Sequence, residues 1–295
     1  MDKQTHTFSA AKEVSSSSSE IQSFIEKVWQ QGEKLYRDLP WRNTQNPYEV
    51  LVSEIMLQQT QVQRVLAYWP RFLKLFPSVD ALAAADVSVV LEAWQGLGYN
   101  RRALALYRCA RTCSHLYQGN LPKTYDELLS LDGVGPATAG GVCAFAYNMP
   151  VVYLETNVRT VFLHEFFPYG NNVSDKELIG LIEASCSQDN PRSWYYALLD
   201  YGAYLKQTLP NPSRRSKHHQ KQSTFEGSRR QKRSELLRIV LANPGITLEG
   251  MLFELNEFEK QHGRGVLEKD YVSTLATTLA QEGFFSEKEG MYWCE

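Results

Sequence analysis

Apolar residues recur every three to four positions along most of this chain, and strict alternation is nearly absent. From Glu20 to Tyr36, Ile21, Phe24, Ile25, Val28, Trp29 and Leu35 share one helical face. Pro40 breaks that pattern, and Pro47 suits the first turn of a second helix with Val50, Leu51, Ile55 and Met56 inward. The same spacing predicts helices over Thr60–Phe76, Val79–Ala85, Val87–Gln95, Arg101–Tyr117, Tyr125–Leu131 and Pro136–Tyr147. It continues over Thr156–Phe167, Asp175–Ala184 and Ser193–Lys206. Pro77, Gly96, Gly98, Gly119 and Pro122 fall between these stretches, where breakers belong. The expectation is an all-α body over residues 21–212.

A separate module is expected over 229–295. Arg230–Leu241, Thr247–Asn256 and Leu267–Gln281 read as helices, and GFFSEKEGMYW reads as two short aromatic strands around a polar turn. Three helices and a hairpin are the pattern of a winged helix, a form that binds DNA or protein or serves structure alone. Residues 1–20, polar and Ser-rich, read as a disordered tail without the apolar stretch of a secretory signal.

Composition narrows the class. At 295 residues and 43% hydrophobic, the chain has material for about two packed domains. No apolar run approaches the roughly 20 residues that span a bilayer. Cys109, Cys113, Cys143, Cys186 and Cys294 are an odd set without framework spacing, which points to reduced thiols and a cytoplasmic protein. Cys109 and Cys113 share a helix face, but two thiols alone make a poor metal site, and no metal is expected. Net charge is only −2, yet residues 214–233 read RRSKHHQKQSTFEGSRRQKR, with Glu226 the one acid. That run, with 213–228 as a linker, is either a solvated connection or a strip that tracks phosphates.

LDGVGPATAGG, residues 131–141, carries the first chemistry. Gly133-Val134-Gly135 makes a tight turn and Pro136 opens a new helix. Free N–H groups at that helix start suit a phosphate; the alternative is an ordinary helix–helix turn.

LPWRNTQNPYEVLVSEIMLQQTQV, residues 39–62, is more specific. With WQGLGYNRRA, the GVG hairpin and TNVRTV, it resembles the adenine DNA glycosylases of the helix-hairpin-helix superfamily, the MutY type, and less closely endonuclease III. The resemblance runs from about Ile21 to Lys206 and implies a two-lobed helix-hairpin-helix fold. It implies that a nucleotide is flipped from duplex DNA and its base cut from the sugar. Charge then builds on both fragments, so an acid must serve the base and an anion the sugar. Glu54 matches the general acid; Glu155 and Asn157 match the anion and its neighbour. Trp41, Arg42, Leu57, Ala137 and Asp200 fall at base-pocket positions. Gln59 matches a wedge in the base stack and Tyr99 a ring that intercalates. Gln58, Thr60, Leu97, Gly133, Val134, Gly135 and Thr138 fall beside the DNA, with Arg214, Arg215 and Lys217 from the basic run.

Four departures mark this chain. The resembled pattern has Asp-Gly-Asn-Val where Glu155-Thr156-Asn157-Val158 stands, so the carboxylate reaches about 1.5 Å further. Ala137 replaces the Lys that forms a Schiff base in the bifunctional relatives, so an abasic site without strand cleavage is expected. LKQTLPNPSRRSKHHQKQS has none of the four cysteines of an iron–sulfur cluster, so no cofactor is expected. Residues 225–295 are too short and too helical for the domain that reads 8-oxoguanine. The expectation is a monomeric, monofunctional glycosylase acting on duplex DNA that contains a mispaired or damaged base, mispaired adenine first. Hypoxanthine, an alkylated purine, uracil, or a DNA protein that binds lesions without cutting are the alternatives.

Overall fold

The computed structural model describes residues 17–219 and 223–294. The expected tail over 1–16 lies outside them. Fourteen helices follow in order: α1 (Ser18–Leu35), α2 (Pro47–Leu57), α3 (Val62–Leu75), α4 (Val79–Ala83), α5 (Val87–Trp94), α6 (Arg101–Leu116) and α7 (Tyr125–Leu129). Then come α8 (Pro136–Phe145), α9 (Thr156–Phe166), α10 (Asp175–Ser185), α11 (Pro191–Thr208), α12 (Arg229–Ala242), α13 (Leu248–Gln261) and α14 (Lys269–Gln281). Three short strands complete the chain: β1 (Ile246–Thr247), β2 (Ser286–Lys288) and β3 (Met291–Trp293). The fold is mostly helical, as the periodicity implies.

The chain forms two compact units, each discontinuous in sequence: the described residues of 1–38 with 148–220, and those of 39–147 with 221–295. In the first, α1 and α9 both pack on α11. Phe24 sits among Phe162, Phe166 and Trp194, with ring centroids 5.0, 4.9 and 6.1 Å away. Edge-on rings at such spacings add to the gain from burying apolar area. A Cβ on Gly32 would lie 2.4 Å from that of Ala197, so glycine permits the close approach of α1 and α11.

Two boundaries differ from expectation. Helix α1 starts at Ser18, inside the expected tail, because Ser17 and Glu20 form a capping box. The start of the expected linker is packed structure: Pro212–Arg215 is a 3-10 turn, and Ser213 is buried 2.6 Å from the Thr160 hydroxyl. Val173 pairs there too, its N–H donating to the Arg215 carbonyl and its carbonyl accepting from Lys217.

In the second unit, α2 packs against α8, α4 against α6, and Trp94, Phe72 and Phe76 form the aromatic core. The C-terminal residues belong to this unit, where α12–α14 and an antiparallel sheet of order β1-β3-β2 make the winged-helix arrangement. Strand β1 was not visible in sequence; two residues are too few to show alternation. Among the described residues, no helix is long and apolar enough to cross a membrane.

Candidate active site

Helix α2 carries Glu54. Pro47 occupies its first turn and the Asn46 side chain caps it, accepting from the Tyr48 N–H at 3.0 Å. Seven of its eleven residues are buried: Tyr48, Val50, Leu51, Val52, Ser53, Ile55 and Met56. Glu54 is half-buried between two of them. A capped helix with one face packed in the core holds the Glu54 backbone in a fixed position.

Arg102 fixes the end of that helix. Its Nη1 donates to the carbonyls of Ile55, Met56 and Gln58 at 2.8, 3.0 and 2.5 Å. Its Nη2 donates to the Thr60 hydroxyl at 3.0 Å and the Gly98 carbonyl at 3.0 Å. One guanidinium therefore ties the orphan carbonyls of α2 to the loop that carries Leu97 and Tyr99. Burial lowers its pKa to about 10, against an opposing effect of Tyr99, so it stays charged at neutral pH. On either side, Gln59 (φ 54°) and Tyr99 (φ 50°) hold left-handed backbone that costs non-glycine residues free energy.

The hairpin lies between α7 and α8. Gly133 has φ +74°, and a Cβ there would meet that of Ala105 at 2.6 Å. Val134 is buried and anchors the turn, while Gly133 and Gly135 are exposed. Pro136 starts α8 with Ala137 and Thr138 behind it. Gln58 Nε2 donates to Thr138 Oγ1 at 2.9 Å, which joins the end of α2 to the hairpin helix.

Glu155 is the N-cap of α9. One oxygen, Oε1, accepts from the N–H groups of Asn157 and Val158, the latter at 3.0 Å. The extra methylene is thus used to fold the carboxylate back over the helix start. Burial raises its pKa above the ordinary carboxylate value; Lys206, the two N–H groups and Arg159 oppose that rise. Lys206 Nζ donates to Asn157 Oδ1 at 2.8 Å. Burial lowers the Lys206 pKa while Glu155 supports its charge. Asp200 is buried, and its two oxygens accept from Nε and the backbone N–H of Arg37 at 2.5 and 3.2 Å.

Residues 52–183 match the family model described as HhH-GPD superfamily base excision DNA repair protein. The fold is similar to those of a solved DNA glycosylase and of endonuclease III. The chain is 35% identical over 170 residues to an adenine DNA glycosylase of Buchnera aphidicola subsp. Baizongia pistaciae, covering 57% of this chain and 48% of that protein. It is similar to a solved thermostable thymine-DNA glycosylase at 25% identity, TM-score 0.57, covering 63% of this chain and 87% of the other. It shares its fold with endonuclease III solved in a non-covalent DNA complex, at 19% identity, TM-score 0.56, covering 64% and 89%. The chain spans about half the length of the curated relatives it matches.

Some expected site residues have structural duties. Trp41 is buried edge-on against Trp69 at 6.2 Å, and Arg42 is buried beside it. Leu57 and Thr60 are half-buried at the end of α2, and Gln59 is exposed. Arg214 and Lys217 are exposed, but Arg215 turns inward and donates to the Leu163 and Phe167 carbonyls at the end of α9. The resemblance drawn from the sequence would put an iron–sulfur cluster at that segment. Its described residues offer no thiol, and Ser213 and Arg215 are already bonded to α9, so they do not fit the group.

The sequence did not flag four residues. Arg102 was hidden inside NRRA. Lys206 and Gly202 are spaced i,i+4 on α11, a signal that both face Asn157. A Cβ on Gly202 would lie 2.2 Å from the Asn157 carbonyl oxygen. Arg37 precedes the quoted motif and shows no pattern of its own.

Proposed function

We propose that this protein is a monofunctional DNA glycosylase that cuts adenine from a mispair in duplex DNA. The observation that carries this reading is the single HhH-GPD match over residues 52–183, which contains Glu54, the Gly133–Gly135 hairpin, Glu155 and Asn157 together. Similarity to curated adenine DNA glycosylases selects adenine. The hairpin N–H groups hold a phosphate while the target nucleotide leaves the stack. Glu54 gives a proton to the purine as the bond from N9 to C1′ breaks. The Glu155 carboxylate, turned by the Asn157 and Val158 N–H groups, faces the positive sugar. Water adds its hydroxide to C1′ and its proton restores Glu54, leaving free adenine and an abasic site. Ala137 has no amine with which to open the sugar. Such work would place the protein with the chromosome, as a monomer.

A second reading, a different damaged or mispaired base, is favoured by the longer Glu155 and by similarity to a thymine-DNA glycosylase. The test is base release from labelled duplexes holding adenine opposite guanine, 8-oxoguanine or cytosine, and thymine, hypoxanthine, uracil or alkylated purines. Adenine release, with strand breaks only after alkali, is expected. Glu54→Gln should slow it by about 10²–10⁴ and retain binding. Release of another base alone would replace adenine; release of none, with tight binding, would replace the enzyme by a lesion-binding protein.

A further inference from the structure

A cavity of about 700 Å³ opens in the second unit, between the loops of Gln59 and Tyr99 and the C-terminal module. Its floor is apolar: Leu237, Leu279 and Phe284 are buried there. Its rim is aromatic and cationic. Arg101, Arg102, Arg229, Arg230 and Arg233 all line it. Among the described residues, the only carboxylate bonded to any of the five is Glu282, which takes Arg101 at 2.5 Å and Arg233 at 2.6 Å. The rim is therefore strongly positive in a chain of net charge −2.

Arg230 organises the mouth. Its Nη1 donates to the Tyr99 hydroxyl at 2.9 Å and its Nη2 to the Ser223 carbonyl at 3.1 Å. Its guanidinium carbon lies 5.3 Å from the Tyr99 ring centroid and 5.5 Å from that of Phe225. Phe225 is 46% exposed. Two rings that share one flat cation leave planar faces on which another planar group can stack. An apolar floor would exclude a paired duplex backbone, and cations at the rim call for an anion.

We propose that this cavity binds one unpaired nucleotide of the DNA, its base against Phe225 and Tyr99 and its phosphate at Arg229 and Arg230. Aromatic platforms combined with arginines are the general means of holding unstacked bases, whatever their sequence. The choice of DNA as the ligand rests on the glycosylase reading; the site itself does not. The winged-helix module thereby supplies half of a nucleotide site, and the loops after α2 and α5 supply the rest.

The experiment compares the affinity of the full chain for two duplexes of equal length, one fully paired and one with a single bulged nucleotide. Fluorescence anisotropy reads both, in the wild type, Arg230→Ala and Phe225→Ala. The wild type should prefer the bulged duplex by about tenfold or more, and each variant should bring the ratio towards one. Phe225 is exposed, so its removal leaves the fold intact even if Arg230→Ala does not. A ratio unchanged in both variants, including equal weakening on both duplexes, overturns the site. Base release on the adenine panel is measured alongside: its absence sinks the glycosylase reading, while the binding ratio still decides the cavity.

Discussion

Burial disfavours a charge on Glu155, against the pull of Lys206 and the Asn157 and Val158 N–H groups. Its folded pKa is raised, so its contribution to stability is full below the ordinary carboxylate value of 4.5 and is lost as pH rises through the folded value. Glu155→Gln keeps an oxygen for the two N–H groups and removes the charge. The variant should match or exceed the wild type in thermal stability at pH 7, and that advantage should vanish below pH 4.5. Its base release should fall by about 10²–10³, the usual scale for losing a group aimed at developing charge. Removing the cation at Lys206, by Lys206→Met, should push Glu155's pKa further up. The acid limb of single-turnover base release should then move to higher pH; an unmoved limb would disconnect Glu155 from the rate. Arg102 makes a different kind of contribution, through its hydrogen bonds to α2 and its neighbouring loops. Arg102→Ala leaves those carbonyls unmet and should cost roughly 2–4 kcal/mol in urea unfolding. Arg102→Lys should recover only part, because an ammonium lacks the fork.

Elements meet in this protein where side chains are missing, and two helical glycines separate that effect. Gly202 on α11 lies against the Asn157 backbone, whereas Gly180 on α10 faces open space. Gly180→Ala should therefore stabilise by about 0.5–1 kcal/mol. Gly202→Ala should destabilise by roughly 1–3 kcal/mol and displace Asn157, so base release falls as well. Equal effects of the two substitutions in thermal melts would contradict the close packing of α9 on α11. Such contacts explain what the sequence revealed. Helices were legible because burial of one face imposes a 3.6-residue period, and their ends fell within a few residues of the Pro and Gly breakers. Gln59, Tyr99 and the GVG hairpin were legible through motif resemblance. The Tyr99–Arg230 bond joins residues 131 apart, and no local period encodes that. The same holds for Arg37 with Asp200, 163 apart. Ser213 was read as linker because a basic, Pro-containing run looks solvated, whereas its hydroxyl is met by Thr160 in the core.

Over the whole molecule, charge is nearly balanced, at −2. Long-range steering towards DNA is therefore weak, and affinity must come from cations gathered locally. Arg214 and Lys217 are exposed on one unit; Arg229 is exposed at the cavity rim on the other. On the glycosylase reading, these three and Arg230 would supply about four cationic phosphate contacts. Counterion release then predicts a slope of about −3.6 for log K against log salt, or roughly a 150-fold loss between 50 and 200 mM. The slope is measured by anisotropy with a paired duplex. Arg214→Ser with Lys217→Ser should make it shallower by about two, since each phosphate cation contributes about one. If the double variant keeps the parent slope, the basic run is a solvated connection rather than a phosphate strip. If the parent slope itself is shallower than about −2, shape and base contacts, not phosphates, would dominate binding by this protein.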